Sequence, residues 1–181
     1  VGDIDVATAE AMIKKHFEGL TNPANERART FYIVPPYAKN QAVIATDKEA
    51  TMYQVQIAYS AFPDKQAQTV EEYRDDIIRE IYTTALNLRL RELTQKPNPP
   101  FLGAMVNFGS YARGFSSFQA MAYAGKSDIN KAITALTEEI ERVKKFGFTA
   151  AEIERVKTNM LTRMERMFKE KDKTESESYV G

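Results

Sequence analysis

The side chains that most often perform chemistry are scarce in this sequence. His16 is the only histidine among the 181 residues, and there is no cysteine. A zinc peptidase site needs two or more imidazoles, a thiol nucleophile needs cysteine, and a Ser-His-Asp relay needs a well-placed base. No second histidine follows His16 at the spacing of a helical metal-binding pair. We therefore predict no catalytic residue and no metal ligand in this chain, and we expect His16 to face solvent.

Carboxylates are plentiful, and three adjacent pairs invite an interpretation as acid–base catalysts. The pairs are Glu71 with Glu72, Asp75 with Asp76, and Glu138 with Glu139. Catalysis by two carboxylates requires opposed environments within a cleft, which adjacency does not provide. Neighbouring residues on a helix diverge by about 100°, so we predict that these pairs lie on solvated helix faces.

Two arginines within a predicted helix, Arg89 and Arg91, could offer cations to a peptide carboxylate or a phosphate. The alternative is an ion-pair surface, because helical arginines often pair with a glutamate nearby, here Glu92. The glycine- and aromatic-rich segment 108–115 lacks the Gly-Lys-Ser/Thr of a phosphate loop. It predicts a tight hairpin, with a groove wall for an extended peptide as the functional alternative.

The overall composition narrows the classes of partner. Lys plus Arg and Asp plus Glu both number 25, so the formal charge is zero. Nucleic-acid binders show a basic excess or stripe, and we therefore expect no nucleic-acid partner. No apolar run approaches the roughly 20 residues that cross a bilayer, so we expect no membrane span in this segment. The 43% of hydrophobic residues predicts a sizeable core.

The periodicity of apolar residues predicts the elements of the first half. A strand ending within residues 1–5 leads into a helix over 6–20, with Asp5 as its N-cap. Alternating residues over 53–59 predict a half-buried strand, and residues 41–46 predict a partner strand before it.

The second half predicts three helices and a hairpin. Capping boxes at Thr69 and Thr149 open two of the helices, and the first of these ends near Gln95. Strands are expected over 103–111 and 115–125, with Gly109 or Gly114 helping the turn between them. A third helix runs from Asp128 to Gly147, and the last helix carries three methionines at helical spacing that predict a core face. The methionines are Met160, Met164 and Met167.

The resulting order, β-β-α-β-β-α-α, predicts an α+β fold. Such an order favours a mostly antiparallel sheet with helices packed on one face.

Several segments, taken together, resemble the pitrilysin/insulinase family of zinc peptidases, whose signature is an inverted His-x-x-Glu-His motif. VGDID at 1–5 looks like the strand-to-helix exit from the catalytic domain of that family. LNLRLREL at 86–93 and KPNPPFLGA at 96–104 look like a stretch of its long bacterial, envelope-associated members. FTAAEIERVK at 148–157 is similar to the opening of a family helix. The segments occur in the family's order through nearly the whole chain.

The resemblance implies a non-zinc α+β domain that follows the catalytic domain and is built like it. Residues 1–40 would be the exit helix of that domain plus a linker, and residues 41–181 a second domain, truncated at its C-terminus. Zinc is expected in the parent protein and not in this fragment. The implied partners are the preceding zinc-bearing domain, the following domains and a peptide substrate, and the implied location is the periplasm or cell envelope.

The resemblance also bears on the site residues. Some members of the family place an arginine and a tyrosine, seven residues apart, against the substrate. Thr94 and Phe101 stand at those positions here, so no catalytic residue is carried over. Phe101 joins Arg89 and Arg91 as a candidate substrate-binding residue.

Two hypotheses of different class follow. The first is a non-catalytic domain fragment of a zinc metallopeptidase that helps to enclose a peptide substrate. The second is a stand-alone binding or scaffolding α+β module without enzymatic activity. A third, a carboxylate-based hydrolase, requires a cleft that the sequence does not define. A His-x-x-Glu-His motif within about 150–200 residues upstream of Val1 would decide for the peptidase.

Overall fold

The computed structural model describes residues 4–30, 32–64, 66–125 and 128–179. The chain divides into two compact units. The larger unit is Ile33–Met160, and the smaller combines Val1–Tyr32 with Leu161–Gly181.

The sheet of the larger unit is built around its last strand. The strands are β1 (Tyr53–Ala58), β2 (Phe62–Pro63), β3 (Gly103–Ala112) and β4 (Phe115–Ala124). Ala122 of β4 pairs with Val55 on one side and Ala104 on the other, so β1 and β3 flank β4. β2 pairs with the start of β4 and follows β1 along the same edge. All of these pairings are antiparallel.

A tight hairpin joins β3 to β4, as the segment 108–115 predicts. Gly114 in the turn has φ 79°, a left-handed conformation that glycine adopts without the steric cost of a Cβ atom. The pairing register shifts between Ser110 and Ala112, which places a bulge beside the turn.

The helices of the larger unit are α2 (Val70–Thr94), α3 (Ile129–Phe146) and the beginning of α4 (Ala150–Glu170), whose residues from Leu161 onward belong to the smaller unit. The Thr69 hydroxyl accepts the N–H of Glu72 at 3.2 Å, and the Glu72 carboxylate accepts the N–H of Thr69 at 3.1 Å. The same reciprocal bonds join Thr149 and Glu152 ahead of α4, at 3.3 and 2.7 Å. Both predicted capping boxes are therefore confirmed. α3 ends at Gly147, which has φ 69°, whereas Asp128 stands at its N-cap without a side-chain bond.

The core lies between one face of the sheet and the helices α2 and α3, which also pack against each other. β4 contributes the small residues Ala120, Ala122 and Ala124, all fully buried. α2 and α3 contribute apolar residues at helical spacing. The buried cluster consists of Leu86, Leu90, Phe101, Val106, Ala120, Ala122, Ala124, Ala132, Leu136, Ile140 and Val143. The predicted α+β fold, an antiparallel sheet with helices on one face, is confirmed.

Aromatic side chains extend this core toward the hairpin end of the sheet. The Tyr82 ring of α2 lies 6.1 Å from Phe108, 5.9 Å from Phe118 and 5.7 Å from Phe148, centroid to centroid. Burial raises the pKa of Tyr82. The cluster therefore joins α2, both long strands and the segment that leads into α4.

The smaller unit contains α1 (Val6–Phe17) and the 3-10 turns Lys171–Lys173 and Ser176–Tyr179. The Asp5 carboxylate caps α1 by accepting the N–H and the hydroxyl of Thr8, each at 2.8 Å. These bonds lower the pKa of Asp5. Within the described ranges, no helix is long and apolar enough to cross a membrane.

Some local predictions are wrong. Residues 41–46 form no strand, and Val43 and Ile44 are 90% and 88% exposed, because their apolar pattern meets no sheet edge in the described chain. Met164 and Met167 are also exposed, since the described residues leave that side of α4 uncovered. Of the strand predicted within 1–5, residues 1–3 lie outside the described residues, and Ile4 and Asp5 are not in a strand.

Candidate functional site

Arg89, the first candidate substrate-binding residue, contacts three segments of its own domain. Its Nη2 donates to Glu152 Oε2 at 2.8 Å, and its Nε donates to the other oxygen of the same carboxylate. Nη1 donates to Glu139 at 3.3 Å, and Nη2 also reaches the carbonyl of Gly147 at 3.2 Å. The guanidinium carbon lies 4.9 Å from the centroid of the Phe148 ring. Arg89 therefore links α2 to α3 and to the start of α4. Its guanidinium is engaged in ion pairs within the domain and is not available as an unpaired cation.

Glu152 is held ionised by this contact. The Arg89 guanidinium, together with the N–H and hydroxyl of Thr149, lowers the pKa of Glu152 to about 2. One carboxylate thus serves two purposes, capping α4 and pairing with Arg89.

Glu139 corrects the prediction that the pair Glu138 and Glu139 faces solvent. Glu138 is exposed, but Glu139 is only 4% exposed and pairs with Arg89 at 3.3 Å and Arg142 at 3.4 Å. Glu139 lies three residues after the buried Leu136, on the same side of α3, so it points toward α2. Two guanidinium partners compensate the charge there. An open groove of about 570 Å³ above this cluster is lined by Arg89, Glu139 and Glu152 themselves.

Asn87, which sequence reasoning missed, occupies the free edge of β3. Its Nδ2 donates to the carbonyl of Val106 at 2.9 Å, and its Oδ1 accepts the N–H of Val106 at 2.8 Å. The side-chain amide thus pairs with β3 as a neighbouring strand would, and satisfies two backbone groups of a fully buried residue. The sequence did contain a signal for this contact. Asn87 is a polar residue beside the apolar Leu86 within a predicted helix, and a polar side chain next to core positions needs a hydrogen-bond partner.

The other two candidate residues lie in different surroundings from Arg89. Phe101 is 2% exposed and belongs to the buried cluster. Arg91 is exposed on α2. The assignment of Arg89, Arg91 and Phe101 to substrate binding stays a prediction.

In the part of the chain that the structure describes, the potential metal ligands do not form a cluster. His16 is exposed on α1, as predicted. Among the residues that the structure describes, no group of three or more His, Cys, Asp or Glu side chains is placed to hold a metal ion.

The face of the sheet opposite α2 and α3, here named the outer sheet face, carries no charge. It is formed by alternate residues of three strands: Gln54, Gln56, Ala58, Gly103, Met105, Asn107, Gly109, Ser117, Gln119, Met121 and Tyr123. None of these is charged, although 28% of the chain is charged. Gln54 and Gln56 are exposed, and Met105 is 48% exposed.

Amide and thioether groups dominate the outer sheet face. Gln56 Nε2 donates to Gln119 Oε1 at 3.2 Å, and Gln119 Nε2 donates to Ser117 Oγ at 3.1 Å. Each donation uses one of the two N–H groups of a side-chain amide. Met105 and Met121 stand directly opposite each other in the pairing of β3 with β4. Such a face can bind a polypeptide by hydrogen bonds and adaptable apolar contact. Its one serine, Ser117, has no histidine, carboxylate or amine among the residues of the face to activate its hydroxyl as a nucleophile.

A family model described as the peptidase M16 inactive domain matches residues 1–160. The chain belongs to the peptidase M16 family, as one of its inactive domains. This confirms the resemblance to the pitrilysin/insulinase peptidases and the expectation of the non-catalytic domain.

Relatives of this M16 domain include much longer proteases. It is 26% identical over 179 residues to a zinc protease PQQL-like protein of Arabidopsis thaliana, covering 98% of this chain and 16% of the relative. The periplasmic protease PqqL from Escherichia coli has a similar structure, with TM-score 0.81 and 24% identity over 99% of this chain and 20% of that one. An insulinase family protease from Yersinia pestis gives TM-score 0.77 at 15% identity, covering 99% of this chain and 38% of that one. At these identities the two structures show a shared fold. The M16 domain thus spans about a fifth of the first two proteins or less.

Proposed function

We propose that this M16 domain is a non-catalytic part of a zinc metallopeptidase and that its outer sheet face helps to enclose a peptide substrate. The observation that carries the proposal is the match to the inactive domain over residues 1–160. The chain covers only 16% of its zinc protease relative, which leaves ample room for a separate catalytic domain. Zinc would be held by that domain, and cleavage would occur there.

The chemistry of the outer sheet face supports a role as an enclosing wall. Helices cover the opposite face, whereas Gln54, Gln56 and Met105 remain exposed on this one. A wall must contact the substrate without reacting with it, and amide and thioether groups meet that requirement at neutral pH.

The arrangement that we propose for the parent protein follows the family. Residues 1–40 would lead out of the preceding zinc-bearing domain, and residues 41–181 would form this domain, with further domains after it. The similar Escherichia coli protein is a periplasmic protease, which supports a periplasmic or envelope location here. Among the candidate substrate-binding residues, exposed Arg91 lies on α2, on the other side of the sheet from the outer sheet face, so it could bind a carboxylate only as a separate contact. Arg89 and Phe101 would hold α2 in place.

The non-catalytic role is tested by metal analysis and peptidase assay of the isolated chain. We expect less than stoichiometric zinc and no cleavage, because one histidine and no cysteine leave too few zinc ligands of the usual kind. One tightly held zinc per chain together with proteolysis would refute the proposal.

The enclosing role is tested by thiol footprinting in the longer protein that contains this chain. The chain has no cysteine, so Gln56→Cys places a single thiol on the outer sheet face. Asn130→Cys places a matched thiol at an exposed position of α3. Any cysteine outside the chain is first replaced by serine. After chelation of zinc to halt cleavage, saturating peptide substrate should slow maleimide labelling at position 56 and not at position 130. Equal labelling rates at position 56 with and without substrate would contradict the proposal.

The stand-alone binding module predicts a different pattern. It would lack a His-x-x-Glu-His motif in the preceding segment of its protein, and no peptide would be cleaved by any longer form.

A further inference from the structure

The outer sheet face differs in charge from the helical side of the same domain. The surface of α3 and the start of α4 carries closely spaced charges of both signs, including Glu138, Arg142, Lys144 and Glu154. The eleven residues of three strands that form the outer sheet face include no ionisable acid or base apart from the Tyr123 phenol. The helical side of the domain therefore carries charged groups, whereas the outer sheet face offers only neutral hydrogen-bonding groups.

We propose that the outer sheet face selects polypeptide segments that lack charged side chains. This inference rests on the proposed enclosing function and names the class of substrate segment that this wall accepts. A charged side chain pressed against the face would lose water without gaining an ionic partner, which is unfavourable. An uncharged segment gives up less hydration free energy when it contacts the face. Its backbone can form hydrogen bonds with the second N–H of Gln56 and with the amide of Gln54.

The side chains next to these amides fit the same occupant. The thioethers of Met105 and Met121 adapt to apolar side chains of different shape. Gly103 adds no side chain beside them, and nothing stands within 4 Å of where its Cβ would lie. The face therefore combines hydrogen bonds to a peptide backbone with shape tolerance toward neutral side chains.

The test uses the longer protein and peptides that share one cleavage site but differ in a remote segment. That segment is uncharged, lysine-rich or glutamate-rich. Wild type should cleave the uncharged peptide with the highest kcat/KM. Gln56→Glu should raise kcat/KM for the lysine-rich peptide and lower it for the glutamate-rich one, each by about three- to fivefold, as for a partly exposed ion pair.

Gln56→Lys should produce the opposite ranking. Two substitutions of opposite sign at one position separate selection by charge from structural damage, since damage would shift both peptides in the same direction. Gln68, exposed ahead of α2, provides the matched controls Gln68→Glu and Gln68→Lys, which should leave the ranking unchanged.

Each other outcome overturns the inference. A wild-type preference for charged segments, equal effects of both Gln56 variants, or an unchanged ranking would refute selection by charge. If substrate protects position 56 from labelling but the ranking fails, the enclosing function stands and only the selectivity is wrong. If protection also fails, both are wrong.

Discussion

The ion pair between Arg89 and Glu152 should make a measurable, pH-dependent contribution to stability. Glu152→Gln removes the charge but keeps a capping-box residue, since glutamine can also accept the N–H of Thr149. The pKa of Glu152 falls from its ordinary value of 4.5 to about 2. Each unit of change in a pKa corresponds to about 1.4 kcal/mol, so the lowered pKa limits the contribution of the Glu152 charge to the free energy of unfolding to about 3 kcal/mol.

The expected loss is smaller than that ceiling. The Glu152 side chain is 20% exposed, so solvent screens part of the interaction, and Arg89 keeps Glu139 in the variant. We expect Glu152→Gln to lower the free energy of unfolding by about 2 kcal/mol at pH 7. The matched control is Glu154→Gln on the same helix, whose side chain is 70% exposed and pairs with the half-exposed Lys157. Its loss should be about 0.3 kcal/mol or less.

The pH dependence gives the sharper test. The folded state holds Glu152 ionised at pH values where the unfolded chain already binds a proton, so the stabilisation is complete above about pH 4.5 and lost as pH falls toward 2. Urea titrations followed by circular dichroism at several pH values provide the assay. The difference between wild type and Glu152→Gln should shrink toward zero across this window. A difference that stays constant from pH 7 to pH 2.5 would show that the charge of Glu152 is not its cause.

Two further substitutions test the scaffold. Asn87→Ala should destabilise the domain by about 2 kcal/mol, because the N–H and C=O of Val106 lose their partner, whereas exposed Asn130→Ala should cost under about 0.5 kcal/mol in the same urea assay. Gly114→Ala should cost about 1–2 kcal/mol because of its φ of 79°. The control Gly103→Ala has open space at the Cβ position and should be nearly neutral in thermal unfolding. Indistinguishable losses within either matched pair would contradict these assignments.

The sequence predicted the elements whose signals are local. The Thr69 and Thr149 capping boxes, the hairpin around Gly114 and the helix end at Gly147 each depend on residues within one turn of chain. These elements are determined by neighbouring residues and do not depend on tertiary contacts, which is why their predicted positions agree with the structure.

The failed predictions depend on long-range contacts instead. Residues 41–46 have the apolar, β-branched composition of a strand, but such a segment forms a strand only where a sheet edge accepts it. Glu139 looks like half of a solvated pair until Arg89, fifty residues away, supplies a charge on the facing helix. Asn87 likewise has no local partner, and its role becomes visible only when β3 lies beside α2.

Two of the segments that carry the family resemblance meet in the scaffold rather than in the proposed binding surface. LNLRLREL at 86–93 supplies Asn87 and Arg89, and FTAAEIERVK at 148–157 supplies Phe148 and Glu152, so these two segments bind each other. A second link joins Glu92 of the first to Arg155 of the second at 3.2 Å.

The proposed binding surface left no such signature in the sequence. Its residues alternate with core residues along strands, and Gln, Met, Gly and Ser at exposed strand positions resemble those of any half-buried sheet. What distinguishes the outer sheet face is the absence of charge across three strands, of which β1 lies far in sequence from the hairpin of β3 and β4, and that absence becomes apparent only once the register aligns them. In this domain the sequence therefore shows family membership through the residues that make scaffold contacts, whereas the proposed binding surface lies on the sheet face that those contacts leave exposed.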